Sequence, residues 1–209
     1  GVSAIVFVAL IFLFLIREGA PAFVQVSPGD LIGTRWYPIE QYFGLVSLVL
    51  GSLLVTLGAA LIAIPLGLAT AIFIAEIAPN AAREVLKPFV EVLAGIPSVV
   101  LGFLGMLVLA PIVREMTGAP TGLTALSGAV LLALMALPTI VSVAEDALDA
   151  VPKRYRDGAL ALGATRWQTT WRVVVPAARS GILTGVMLGI GRAIGETMTV
   201  MMVTGNAAR

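Results

Sequence analysis

Five stretches of this chain, 2–16, 44–78, 89–113, 122–144 and 177–204, are so apolar that they suit a bilayer interior better than a soluble core. No water satisfies the backbone there, so a spanning segment must close its own hydrogen bonds as a helix or join a closed barrel. Barrel strands alternate apolar with polar residues, and these stretches do not alternate. They read as helices, to be compared with the ~20 residues that one crossing needs. Composition agrees, with 59% of residues hydrophobic and 12% charged. The expected fold is all-α and polytopic, a single transmembrane domain over 1–209.

The five stretches are not equivalent. The first is short, and Ala20-Pro-Ala22 faintly resembles a cleavage site, but Pro21 inside it and Arg17-Glu18 before it argue against a signal peptide. It reads as a clipped first helix. The stretch 44–78 is too long for one upright crossing, so it either tilts or extends beyond the lipid, ending near Pro79-Asn80. Between these two, Pro21, Pro28, Gly29, Gly33 and Pro38 mingle with Trp36, Tyr37, Tyr42 and Phe43, a mixture suited to an interfacial cap. The last stretch runs almost directly into Asn206, and the chain is expected to be a piece of a longer protein.

Several function classes fall away early. Cysteine and histidine are both absent, which removes thiolate and imidazole metal ligands and the usual nucleophile and base pairs of an enzyme. Met198, Met201 and Met202 read as packing residues, with no metal expected. A net charge of +1 argues against a nucleic-acid surface. The charges are nevertheless unevenly placed. Arg83, Lys87, Lys153, Arg154, Arg156, Arg166, Arg172 and Arg179 fall on one alternating set of connections, against Arg17, Arg35 and Arg114 on the other. Positive residues are retained in the cytoplasm, which puts residue 1 and the segment 145–176 inside and the end near Asn206 outside.

That inside segment is structured. Pro152 is acceptable in a first turn and opens a short helix through Leu162, which Gly163 terminates as the residue without a Cβ penalty. Thr165 and Gln168 then make a capping-box pair at the start of a second helix, with Trp167, Trp171 and Val174 on one face. Pro176 stops or bends that helix, and Asp146 and Asp149 charge the approach. Two capped helices at an angle form a rigid knob. A DNA-binding helix-turn-helix is disfavoured by the membrane tethers at both ends, which leaves a surface loop or a docking element for a soluble partner.

The spacing of this segment is also that of a known family. Asp157-Gly158-Ala159, three residues, Gly163, nine residues, then Val173-x-Val175-Pro176 resembles the EAA loop of ABC-importer permeases. Asp and Gly158 replace Glu and Ala of the usual form, and valines replace Ile and Leu. Gly33-Thr-Arg-Trp-Tyr-Pro38, Gly51-Ser-Leu-Leu-Val-Thr56, Leu93-Ala-Gly-Ile-Pro-Ser98 and Gly191-Arg-Ala-Ile-Gly-Glu-Thr197 look like phosphate permeases of the PstC type. The resemblance implies a type I permease fold of six spans, five of them visible. It also implies a periplasmic phosphate-binding protein, a second, PstA-like permease subunit and a cytoplasmic ABC ATPase dimer as partners, in a bacterial or archaeal inner membrane. On this reading Asp157, Gly158, Ala159, Gly163, Trp167, Trp171 and Pro176 couple to the ATPase. The chain holds no Gly-x-x-x-x-Gly-Lys-Ser/Thr loop, so ATP and Mg are expected on the partner, with no cofactor on this chain.

Arg192 and Glu196 are the charges placed deepest in a span, at i and i+4 on what reads as one helix face. An arginine at the bilayer centre costs at least ~2.5 kcal/mol, so it is a functional candidate. Its planar fork suits phosphate oxygens, while Glu196 either holds that fork, limits retention or accepts a hydrogen bond from the protonated oxygen of hydrogen phosphate. The alternative is a salt bridge that only packs the helix. Thr197, Thr56 and Ser98 are candidate hydroxyls of the same path, although membrane hydroxyls often bond their own backbone. Pro65, Pro97 and Pro138 can kink their spans, and Gly95 beside Pro97 marks the expected hinge. Another oxyanion such as sulfate, molybdate or phosphonate is the main alternative cargo, and an ATP-independent secondary transporter a more distant one.

Overall fold

The computed structural model describes residues 2–25, 27–37, 40 and 42–205. Pro38 and the tail from Asn206 lie outside the described residues. Two compact units divide the chain, one comprising 1–52 with 208–209 and the other 53–207.

The first unit holds α1 (Val2–Gln25) and the one-turn α2 (Pro28–Leu31), which Ser27 caps by accepting the Gly29 N–H. A two-residue antiparallel pair comes next, β1 (Trp36–Tyr37) with β2 (Tyr42–Phe43), in register Trp36 to Phe43 and Tyr37 to Tyr42. The aromatics of the expected cap thus form a small hairpin, with Trp36 and Phe43 packed edge to face at 6.1 Å. The helix α3 (Leu45–Ile72) begins in this unit and ends in the second.

The second unit is helical. Beyond Ile72 a π-turn over Phe73–Ile77 prolongs α3, so that the helical stretch counts 33 residues, Leu45–Ile77. Then come the amphipathic α4 (Asn80–Ala94), α5 (Ser98–Leu104), a π-turn over Gly105–Leu109, α6 (Ala110–Thr117) and α7 (Ala125–Asp149). The polar segment supplies α8 (Lys153–Ala161), α9 (Arg166–Thr169), a π-turn over Thr170–Val174 and α10 (Val175–Ala177). Finally α11 (Arg179–Ile194) and α12 (Met198–Val203) close the described chain. Among the described residues four stretches are long and apolar enough to cross a membrane: Val2–Pro21, Leu45–Ile77, Ser98–Thr117 and Ala125–Asp149. The pair Arg166–Ala177 and Arg179–Ile194, bent by 70°, makes a fifth if counted as one.

The boundaries differ from expectation in four places. The first helix does not stop at 16 but runs on to Gln25, with Val2–Pro21 long enough to span. The stretch 89–113 is not one helix: Gly95 ends α4 and Pro97 starts a new helix at Ser98, since proline cannot donate to a continuing ladder. The stretch 122–144 becomes a helix that runs on to Asp149, because the acidic residues of its last turns are paired with α4. The stretch 177–204 is broken at 195–197 between α11 and α12.

The core is built on α7, against which α11, α4 and α12 pack. Small residues allow close approach where helix backbones meet in lipid. Ala59, Ala63 and Ala71 are buried on α3, Ala129, Ala133 and Ala136 on α7, and Gly185 and Gly189 on α11. Ile140, 0% exposed, is wedged at the centre, facing Gly67 of α3 on one side and Gly189 of α11 on the other.

Candidate functional sites

The segment after α7 is ordered by local chemistry. Gly163 adopts φ +84; its N–H donates to the Leu160 carbonyl at 2.9 Å, and the Ala164 N–H reaches the Ala159 carbonyl at 3.1 Å. These two bonds satisfy orphan carbonyls at the end of α8 in a Schellman arrangement that needs a residue without Cβ strain. Thr165 then accepts the Gln168 N–H at 3.2 Å while Gln168 Oε1 accepts the Thr165 N–H at 2.9 Å, the reciprocal capping box. Trp167 and Trp171 stack edge to face at 5.5 Å and stay exposed, at 62% and 45%. Val174 does not share their face. The π-turn over Thr170–Val174 rotates the helix, and Val174 is buried among Leu148, Val151 and Ala178. The helix does not bend at Pro176 itself but at Ala178, where α11 turns away. Asp157, Gly158, Gly163 and Leu162 are exposed and Ala159 is half-buried, so the outer face of α8 is left open by the described residues.

The inner side of the segment is fastened by Arg156. Its Nη2 donates to Glu76 Oε1 at 2.6 Å and to the Leu148 carbonyl at 2.9 Å. Its Nε donates to Glu76 at 3.2 Å and its Nη1 to the Val151 carbonyl at 2.6 Å. A second ionic cluster lies between α4 and α7. Glu145, only 2% exposed, accepts from Arg83 Nη2 at 2.7 Å and Lys87 Nζ at 2.7 Å. Lys87 also reaches Asp146 at 3.2 Å, and Arg83 pairs with Asp149. The hydrogen bond to Glu145 raises the Lys87 pKa above 10.5, assisted by Asp146 and opposed by burial. Asp146 and Asp149 therefore serve the α4 contact instead of charging the approach to α8. Sequence reasoning missed both clusters. The one available signal was spacing, since Arg83 and Lys87 on α4 and Glu145 and Asp149 on α7 are each i,i+4.

Arg192 and Glu196 do not share a helix face. α11 ends at Ile194 with Gly195 as its C-cap, glycine being a poor residue for helix continuation. Among the described residues no ion pair joins the two. Arg192 instead donates Nη1 to Thr139 Oγ1 at 3.3 Å and Nη2 to the Ala94 carbonyl at 3.2 Å. Glu196 accepts the Thr199 N–H at 3.1 Å and the Thr199 hydroxyl at 3.2 Å, so it caps the first turn of α12. The buried Thr199 hydroxyl also lies 3.0 Å from the Ser98 carbonyl. Thus 98 and 196 meet through Thr199, while Thr56 and Thr197 make no side-chain hydrogen bond among the described residues. Gly95 and Pro97 flank the break between α4 and α5, beside the carbonyl that Arg192 holds. A cleft of about 340 Å³ is lined mainly by apolar residues such as Phe89, Leu93, Ile96, Leu134 and Leu137; its one hydroxyl, Thr70, donates to the Leu66 carbonyl at 2.8 Å.

A helical membrane subunit with a rigid, outward-facing polar segment and a cation held inside its helix layer is the class that fold and site define. The family of binding-protein-dependent transport system inner membrane components matches residues 63–208, and the chain belongs to that family. The protein YqgH of Bacillus subtilis, described as a probable ABC transporter permease, is 46% identical over 94% of this chain and 65% of its own length. The phosphate transport system permease protein PstC of Mesorhizobium japonicum is 39% identical over 86% of this chain and 61% of its own length. PstC of Xylella fastidiosa is 34% identical over 99% of this chain and 70% of its own length. The chain thus spans about two thirds of the length of these relatives, of which the second and third carry the PstC name. It is a multi-pass membrane protein.

Proposed function

We propose that this chain is a permease subunit of an ATP-driven phosphate importer, with residue 1 and the segment 152–176 on the cytoplasmic side. A periplasmic binding protein delivers phosphate, this subunit and a second permease form the path, and a cytoplasmic ATPase dimer binds ATP and Mg. The exposed face of α8 and α9, with Asp157, Gly158, Ala159, Trp167 and Trp171, docks the ATPase, and Gly163 and Pro176 set its shape. Kinship with several PstC proteins supports the cargo.

One observation carries the anion path. Arg192 is a cation in a span whose contacts are two neutral oxygens, Thr139 Oγ1 and the Ala94 carbonyl. Phosphate oxygens are stronger acceptors than either, because they carry negative charge opposite the guanidinium and can take its planar fork bidentately. An entering phosphate takes over the Arg192 fork and releases the end of α4 beside the Gly95–Pro97 break. Glu196 accepts a hydrogen bond from the protonated oxygen, with Thr197, Thr56 and Ser98 as further hydroxyls of the path.

The test is phosphate uptake by the reconstituted complex, with sulfate and molybdate as competitors. Arg192→Gln is expected to reduce uptake to background while the complex still assembles. Unchanged uptake refutes the role of Arg192, and equal competition by sulfate or molybdate assigns the chain to a broader oxyanion importer.

A further inference from the structure

We infer that Arg156 is the strut by which movement of the polar segment reaches α3, a helix to which that segment has no covalent connection. The inference rests on the docking of an ATPase to α8 and α9. Covalent continuity joins the segment only to α7 and α11, and its other tie to α3 is apolar packing of Val151 and Val174 in the cluster that holds Ala71, Ile72 and Ile74, which can slide without a directional bond. Arg156 supplies that bond. Its guanidinium binds Glu76 through Nε and Nη2 and the Leu148 and Val151 carbonyls through Nη2 and Nη1. The carbonyls lie at the C-terminal end of α7 and just beyond it, where helices leave acceptors unpaired and favour a cation. Glu76 lies in the π-turn that prolongs α3.

The three elements therefore meet on one planar group with four hydrogen bonds. Arginine suits this position because its donors form a fixed fork, whereas a lysine ammonium holds one point. The side chains of Arg156 and Glu76 are 22% and 9% exposed, which keeps water from competing fully for the pair. On the opposite side of α8 a Cβ at Gly158 would meet nothing within 4 Å. One face of the segment is thus rooted in the helix bundle and the other is open to a partner.

The whole importer, with partner permease, ATPase and binding protein, is reconstituted in proteoliposomes with wild type, Arg156→Gln, Glu76→Gln, the double variant and Arg156→Lys. ATPase co-purification and ATP hydrolysis are expected to persist in every variant. Phosphate imported per ATP is expected to fall about two- to thirtyfold in each single Gln variant, the range for residues that carry coupling between sites, and no further in the double variant. Arg156→Lys is expected to lie between. The chain has no cysteine, so nitroxide labels at Leu61→Cys and Lys153→Cys report only the α3 to α8 distance. That distance is expected to stay constant through nucleotide binding in wild type and to change in Arg156→Gln. An unchanged import ratio, or a label distance that ignores the substitution, overturns the strut. A wild-type chain that retains no ATPase overturns the function itself, a result visible before any variant is made.

Discussion

Valine introduced at Gly189 and at Gly191 separates packing from helix propensity, because the two positions lie two residues apart on α11 in opposite surroundings. A Cβ at Gly189 would overlap Ile140 Cγ1 and lie 3.0 Å from its Cδ1 and 3.3 Å from the Ala136 carbonyl. Ile140 has nowhere to retreat, since a Cβ at Gly67 on α3 would already stand 2.8 Å from its Cγ2. A Cβ at Gly191 meets nothing within 4 Å. Overpacking costs about 1–3 kcal/mol, and a fully enclosed site belongs at the upper end. Replacing glycine by valine in a helix returns only about 0.3 kcal/mol. Gly189→Val should therefore destabilise by about 2–3 kcal/mol, which at roughly 2–4 °C per kcal/mol lowers the Tm by about 5–10 °C. Gly191→Val should move it by no more than about 1 °C upward. Thermal unfolding of the purified protein in detergent micelles measures both. Adding Ile140→Ala to Gly189→Val should recover part of the loss, because contacting sites are not additive. Equal Tm values for the two glycine variants, or full additivity with Ile140→Ala, would refute the claim that close α7–α11 approach through Ile140 sets stability.

Other expectations concern the charges and the turn. Arg83→Met with Lys87→Met leaves Glu145 buried and unpaired, which should cost about 3–5 kcal/mol; Glu145→Leu added to that pair should restore most of the Tm, and a failure to do so would rule out an unpaired charge as the cause. The Lys87 pKa is raised in the folded protein, so its contribution is fully present below about 10.5 and is lost as pH rises through the higher folded value. Tm measured from pH 8 to pH 11.5 should decline at the alkaline end with a component that Lys87→Met abolishes. Gly163→Val forces a β-branched residue into φ +84 at about 1–3 kcal/mol, and hydrogen exchange should report faster opening of 158–169 with little change in α7. Thr165→Ala should speed exchange of the α9 amides by removing a cap worth about 1 kcal/mol, and unchanged protection would show that the capping box is dispensable.

The range of each interaction decided how much of the molecule could be read from its residues alone. Apolar length determined the membrane class, and spacing from Asp157 to Pro176 identified the family. Gly163 and the Thr165–Gln168 box were legible because a turn and a cap are decided by residues within a few positions of one another. Arg192 stood out as a charge in a span, but its partners did not: Thr139 and Ala94 are 53 and 98 positions away, and only helix packing brings them to it. Glu196 looked like its partner by i,i+4 spacing, a rule that assumes an unbroken helix, and Gly195 ends that helix. The π-turns at Phe73–Ile77 and Thr170–Val174 likewise shift side-chain phase in a way that a 3.6-residue period does not contain. The sequence by itself determined the solvent, the helices and the shape of the polar segment. Tertiary structure alone decided which charges meet, because pairing Glu145 with α4 and Arg156 with Glu76 depends on the rotation and depth of helices distant in the chain.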